Sequence, residues 1–335
     1  MNRDPIVKLQ DVTKYFEVKR DIVQKITSRE RQFIKAVDGI SLHIHRGEVF
    51  GLVGESGSGK TTVGKLILNV MSPTQGEVFF ENADISGMKK PELKPFRRKI
   101  QVIFQDPYAS LNPRMKIGKA LVQPLEIHGI AAPQERKQRV LGLLEHVGLT
   151  PAEIIFNKYP HQLSGGQRQR IVIARALMLN PDFVVADEPI AMADVSMRVL
   201  LLELMMNLKQ EFNLTYLFIT HDLATAKYVC DRIAIMYLGK IMELGTLKEV
   251  YANPLHPYTR ALLEAVPVPD PQRRRQSPIP QGEIPNPINP PSGCRFHPRC
   301  PYRMDMCSRE EPGLEEKAPA HSTACHLPVH SMPGS

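Results

Sequence analysis

GESGSGKTT, residues 54–62, lies between EVFGLV (48–53), which reads as a strand, and TTVGKLILNV (61–70), which has a helical pattern. It matches G-x-x-x-x-G-K-S/T in the context that motif needs, strand before and helix after. Glycines let such a loop curl until successive backbone N–H groups point inward, and the helix adds its positive N-terminus. Gly54, Ser56, Gly57, Ser58, Gly59, Lys60, Thr61 and Thr62 are therefore the candidate phosphate-binding residues. Lys60 is expected to reach the β and γ phosphates, Thr61 to ligate Mg²⁺ and Thr62 to hold the α phosphate region. A Gly/Ser-rich turn with an exposed lysine is the competing reading, and the flanking strand and helix speak against it.

Working outward, short β-rich runs alternate with helical patterns. KIQVIF, FVVAD, TYLFIT and RIAIMYL interleave with QERKQRVLGLLEHV, QRQRIVIARALM and VLLLELMMNLKQEF. This alternation predicts an α/β domain with a mainly parallel sheet. In QERKQRVLGLLEHV, Val140, Leu143, Leu144 and Val147 follow i, i+3, i+4, i+7 and mark one helix face, placed in an insert between two strands.

FVVADE, residues 183–188, is an apolar strand ending in two carboxylates. Asp187 is expected to organise Mg²⁺ and its waters. Glu188 is expected to polarise an attacking water, since phosphoryl transfer relies on positioning and charge stabilisation. Acidic pairs after strands are commonly caps or solvated loop residues, so the reading leans on the loop at 54–62. LSGGQRQR, residues 163–170, opens another helical pattern with Ser164 as a natural N-cap.

With these residues on the page the chain resembles the ATP-binding cassette (ABC) family. The P-loop, a glutamine at Gln105 in VIFQDP, the signature LSGGQ at 163–167, the strand ending at Asp187-Glu188, and a histidine at His221 in FITHD occur in that family's order. The resemblance implies a P-loop NTPase of ABC type with a helical insert at about 108–178, within a nucleotide-binding domain spanning 1–250. It implies a head-to-tail dimer in which one subunit's P-loop and the other's Ser164, Gly165, Gly166 and Gln167 enclose ATP. Gln105 would sense the γ phosphate and Mg²⁺, and His221 would hold the γ phosphate and the water. Phe16, ahead of Tyr15, is expected to stack on adenine. One segment departs from the family. Where relatives read Thr-Ser-Ala-Leu-Asp, this chain has Ile190-Ala-Met-Ala-Asp194. Asp194 of the D-loop is kept and the hydroxyls are lost, which favours a paralogous partner and unequal ATP sites.

Composition changes toward the C-terminus. Of 29 prolines, 17 lie between Tyr251 and Ser335, nine of them from Pro267 to Pro291 around Arg273-Arg274-Arg275. Proline removes donors and restricts its predecessor, which predicts an extended connector there, within a segment spanning 251–292. Four of five cysteines, Cys294, Cys300, Cys307 and Cys325, follow in 293–327, ahead of a tail at 328–335. The N-terminus has no apolar run of signal length, and no stretch approaches the roughly 20 residues that span a bilayer. The chain is expected to be neither secreted nor integral to a membrane, and its thiols reduced. Its +8 charge suits phosphates, nucleic acid or an anionic surface alike.

ANPLHPYTRALLEAVP (252–267) followed by GCRFHPRC (293–300) resembles the oligopeptide, dipeptide and nickel import branch of the family. That resemblance implies two permease subunits, an extracellular solute-binding protein acting indirectly, a place at the cytoplasmic face of the membrane, and no nucleic acid. The C-x5-C-x6-C-x17-C spacing is wider than structural zinc favours and suits a 4Fe–4S cluster, which members of the branch resemble one another in carrying; zinc and unligated buried thiols are the alternatives. Lying outside every ATP motif, the cysteine segment is expected to be structural and nucleotide binding to be independent of it. The competing function is a soluble ABC-type ATPase acting on nucleic acid, ribosomes or iron–sulfur assembly.

Overall fold

The computed structural model describes residues 4–18, 31–266 and 282–328. The chain divides into two compact units, Met1–Ile6 with His45–Val49 and Gly87–Ile219, and Val7–Ile44 with Phe50–Ser86 and Thr220–Ser335. Among the described residues no helix is long and apolar enough to cross a membrane.

In the first unit, strands Ile100–Ile103, Phe183–Asp187 and Thr215–Thr220 are parallel neighbours, with Ile100 opposite Phe183 and Phe183 opposite Thr215. The last two are buried along nearly their whole length, on both faces, the usual condition of parallel strands. Between Ile103 and Phe183 the chain is helical, with Pro107–Ser110, Ile117–Ile127, Pro133–His146, Ala152–Asn157 and Gly165–Leu177. Val140, Leu143, Leu144 and Val147 are buried, the face that the apolar spacing predicts. The long helix Val195–Phe212 follows, ended by Asn213 in the left-handed conformation.

The second unit holds a four-stranded sheet that the reading of the sequence missed, in the order Phe33–His45, Pro5–Glu17, Gln75–Phe80 and Ala83–Asp84, with Gln75–Phe80 antiparallel to both its neighbours. Its signal is the alternation of Ile40, Leu42 and Ile44, all buried, with exposed Ser41 and His43. The unit also pairs Val49–Val53 in parallel with Arg232–Tyr237, which pairs antiparallel with Lys240–Thr246. The C-terminal strands His321–Thr323 and Glu315–Ala318 continue outward from Lys240–Thr246. HPYT begins a helix, Pro257–Ala265, so the segment after Tyr251 is not extended throughout. Of the expected proline connector, residues 282–291 carry neither helix nor strand, while 267–281, with Arg273–Arg275, lie outside the described residues.

A buried carboxylate ties these pieces together. Glu243, fully buried, accepts from the backbone N–H groups of Leu255 and His256, each at 2.9 Å, and stands 2.7 Å from His321 Nε2. His256 in turn caps the HPYT helix, its Nδ1 accepting from the Tyr258 amide at 3.0 Å. Tyr237, Tyr258 and Phe296 pack beside it, with ring centroids 4.8 to 5.5 Å apart. Removing one member of a buried, hydrogen-bonded pair leaves the other unsatisfied. Glu243→Ala is therefore expected to cost about 3–5 kcal/mol, read as a lowered unfolding midpoint together with faster proteolysis of the C-terminal segment.

Candidate functional site

The residues expected to handle nucleotide divide between the two units. Tyr15, Phe16, the P-loop and His221 belong to the second, and Gln105, the signature, Asp187, Glu188 and Asp194 to the first.

The P-loop follows strand Val49–Val53 and opens helix Lys60–Ile67. Gly59 sits at φ 107°, where a Cβ would collide with the carbonyl of Ala36, so the turn into the helix needs glycine there. Ser58 and Lys60 are buried, Ser56, Gly57 and Thr61 exposed, and Thr62 half-buried. The Lys60 ammonium donates to the carbonyls of Gly54 at 2.7 Å and Glu55 at 2.9 Å, and lies 3.3 Å from Ser58 Oγ. A cation held over a curl of amides at a helix start is suited to a polyphosphate.

The two aromatic candidates are not equivalent. Tyr15 donates its hydroxyl to the Asp38 carboxylate, and Lys35 lies 5.7 Å over its ring. Burial, then the hydrogen bond to Asp38, pushes this phenol up to about 12. Burial raises Asp38, but the Tyr15 hydroxyl and the charges of Arg295, Lys240 and Lys35 outweigh it and hold the carboxyl below its usual range. Phe16 is 37% exposed, with Lys14 at 5.5 Å, and presents an apolar ring at the surface. His221 is exposed and directly follows strand Thr215–Thr220.

In the first unit Gln105 and Glu188 come together, 83 residues apart in sequence. Gln105 Nε2 donates to Glu188 Oε2 at 2.9 Å. The next residue, Asp106, caps helix Pro107–Ser110 through the amides of Tyr108 and Ala109, fixing where the glutamine leaves its strand. Glu188 has φ 47°, a left-handed conformation that costs a non-glycine residue energy, and its amide bonds the Ile219 carbonyl at 2.9 Å. Asp187, the preceding residue, ends the strand half-buried.

Ser164 and Gln167 form a reciprocal capping box, Ser164 Oγ accepting from the Gln167 amide at 3.2 Å and Gln167 Oε1 from the Ser164 amide at 3.1 Å. Ser164 and Gly165 are exposed at that helix start, and Gly166 half-buried. Asp194 serves as an N-cap of Val195–Phe212. The Met197 amide, then the Ser196 hydroxyl, hold its carboxyl below the usual range. Sequence reading missed Gln169, which is buried and donates to the Pro189 carbonyl just after Glu188. The signal was a polar residue on the apolar face of the signature helix.

The four C-terminal thiols gather near one another. Cys294 N–H bonds the Cys307 carbonyl at 2.8 Å. Burial pushes the Cys325 thiol up to about 12, and the nearby sulfurs of Cys294, Cys300 and Cys307 add to it. Burial likewise raises Cys294, and Cys300 to about 11. Among the described residues no group of three or more His, Cys, Asp or Glu side chains is disposed to hold a metal ion. Four thiols are the donor set that a cluster would take; without metal, burial favours their protonated form, and ligation would require the thiolates. Cys230 is the core thiol its surroundings predict, raised by burial and by Asp231.

A family model described as ABC transporter matches residues 37–191, and one described as oligopeptide/dipeptide transporter, C-terminal region, matches 242–307. The chain is 46% identical to the oligopeptide transport ATP-binding protein AppF of Bacillus subtilis, over 97% of this chain and 98% of that one. It is 47% identical to a putative peptide import ATP-binding protein of Brucella ovis, over 97% and 98%. It is 44% identical to the dipeptide transport ATP-binding protein DppF of Haemophilus influenzae, over 96% of each. Among solved structures, the dimeric post-hydrolysis cassette MJ0796 bound to ADP and Pi superposes with a TM-score of 0.62 at 32% identity, over 72% of this chain and 98% of that one.

The thiolate is the nucleophile in alkylation, and raising a thiol from its ordinary 9.0 to about 11 lowers its thiolate fraction at pH 8 roughly a hundredfold. In metal-free folded protein Cys300 should react with iodoacetamide that much more slowly than in urea-unfolded chain, with the rate climbing as pH rises toward 11. Equal rates in the two states would contradict the burial described.

Proposed function

The chain belongs to the ABC transporter family, with the C-terminal region of the oligopeptide/dipeptide transporters, and on that premise we propose that it is the ATP-hydrolysing subunit of an importer for di- or oligopeptides. The single observation that carries the reading is the P-loop, with glycine-dependent curl and buried Lys60 at a helix start, in a chain matching peptide import ATP-binding proteins over nearly its full length. The competing activity on nucleic acid, ribosomes or iron–sulfur assembly has no support in these relatives.

The amides from Gly57 onward and Lys60 hold the phosphates, and Thr61, Gln105 and Asp187 are the residues that would hold Mg²⁺, whose charge neutralises the phosphate oxygens when bound. Phe16 stacks on adenine, since the Tyr15 hydroxyl is engaged with Asp38. Glu188 polarises the attacking water, and His221 orients it against the γ phosphate. Gln105, hydrogen-bonded to Glu188 and followed by the cap of the helical insert, links the reacting end of the nucleotide to the part that moves permeases.

Ser164, Gly165, Gly166 and Gln167 complete the ATP site of a second subunit. Around Asp194 the first unit exposes Met192, Val195, Val199 and Leu200, the last 48% exposed and Val195 78%, an apolar run of the kind that marks subunit contact. The lost D-loop hydroxyls support a paralogous partner. Two transmembrane permeases, served by an extracellular solute-binding protein, complete the assembly and place the chain at the cytoplasmic membrane face. The same proposal includes a thiol-held 4Fe–4S cluster at Cys294, Cys300, Cys307 and Cys325, supported by the gathering of these thiols. Anaerobic purification yielding iron and sulfide in cluster proportion upholds it, and metal-free protein with a native tail overturns it.

For the catalytic reading, Glu188→Gln should retain MgATP binding while turnover of the assembled transporter falls about 10²–10⁴-fold, the usual contribution of a general base. Unchanged steady-state turnover would remove Glu188 from that role.

A further inference from the structure

Glu55, the first variable residue of the P-loop, is held at three of its groups by side chains. Its carboxylate receives the Arg299 guanidinium, Nη1 to Oε2 at 2.9 Å and Nη2 to Oε1 at 3.3 Å, a two-point pairing of fork with carboxylate. Its backbone N–H donates to Tyr258 Oη at 3.1 Å. Its carbonyl accepts from Lys60 Nζ at 2.9 Å. Two of these three anchors come from the C-terminal region: Tyr258 from HPYT, and Arg299 from GCRFHPRC, beside Cys300.

Arg299 is fixed independently of Glu55. It belongs to the turn His297–Arg299 between Cys294 and Cys300, where the His297 amide bonds the Cys294 carbonyl and the Arg299 amide bonds the Phe296 carbonyl, each at 3.0 Å. Its Nη1 lies 3.3 Å from Tyr237 Oη, and its guanidinium is 5.8 Å and 5.9 Å from the rings of Tyr237 and Phe296. Arg299 is 12% exposed and Glu55 28%, so the pair is shielded from the screening that makes most surface pairs weak.

We propose that Arg299 and Tyr258 are positioning residues for the phosphate-binding loop, through which the C-terminal cysteine segment sets the affinity for MgATP. The inference rests on the ATPase reading above. Lys60 donates to the loop's own carbonyls, and engaging phosphate oxygens means exchanging those bonds. The loop then has to keep its curl without the lysine, and the anchors on the Glu55 carboxylate and amide do this from outside the loop. Nucleotide binding is accordingly tied to the cysteine segment, contrary to the independence that its position outside the motifs suggests. Disturbing Cys294 or Cys300 displaces Arg299 and reaches the P-loop through a single residue.

The test measures MgATP affinity of the full chain with a fluorescent ATP analogue, and ATP turnover in the assembled transporter. Arg299→Ala and Glu55→Ala should each weaken MgATP about tenfold, and the double variant should be no weaker than either alone, the mark of coupled groups. KM should rise with kcat nearly unchanged, and Arg299→Lys should recover only part of the affinity, because an ammonium cannot match both carboxylate oxygens. Unchanged affinity in Arg299→Ala, additive losses in the double variant, or a fall in kcat alone would overturn the inference. If Arg299→Ala does not fold, Tyr258→Phe removes one hydroxyl and should weaken MgATP about threefold, with unchanged affinity again decisive against it. A wild-type chain unable to bind MgATP would overturn the ATPase reading itself, and with it this one.

Discussion

A phosphate-binding loop must leave several backbone N–H groups unpaired, so it cannot be held by the hydrogen bonds that stabilise helices and strands. Everything around residues 54–59 answers that constraint. The strand Val49–Val53 and helix Lys60–Ile67 fix the ends, the Ser58 carbonyl accepts from the Gly239 amide at 2.8 Å, and Gly59 fits under Ala36 where no Cβ could. Glu55 takes the remaining restraint from Tyr258 and Arg299. Side chains and distant strands thus hold the loop from outside.

The opposite half of the chemistry is organised by caps. Ser164, Asp106 and Asp194 each satisfy amides at a helix start, so the residues expected to face nucleotide or partner stand at the ends of rigid elements. Gln169 adds a bond from the signature helix to the carbonyl of Pro189, one residue beyond Glu188. The signature helix is therefore hydrogen-bonded, inside one unit, to the backbone next to Glu188. A change in the position of that helix is felt at the turn that carries Glu188.

Much of this is legible in the sequence. The parallel strands and the helix with Val140, Leu143 and Leu144 could be read because burial imposes a period on apolar residues. The P-loop, signature and acidic pair could be read because their chemistry demands particular residues at particular spacing. What escaped reading depends on contacts between distant segments. Phe33–His45 alternates as a strand should, but its pairing is nonlocal. Glu55 occupies a variable position of its motif, and nothing local says that an arginine 244 residues later will grip it. The cysteine spacing marks four thiols, but that the fold gathers them and that burial raises Cys300 and Cys325 depends on their packing.

The C-terminal strands bear on solubility as well as on function. Ile241 and Met242 sit in a strand whose free side would be an open row of amides and carbonyls, a template for any other chain. His321–Thr323 pairs with it, and Glu315–Ala318 then becomes the outermost strand, short, with Glu315, Glu316 and Lys317 exposed. Charge and brevity make that border a poor seed for further pairing. The cysteine-bearing region thus also closes the sheet against self-association, and a chain cut after residue 250 would be shorn of its protection against aggregation.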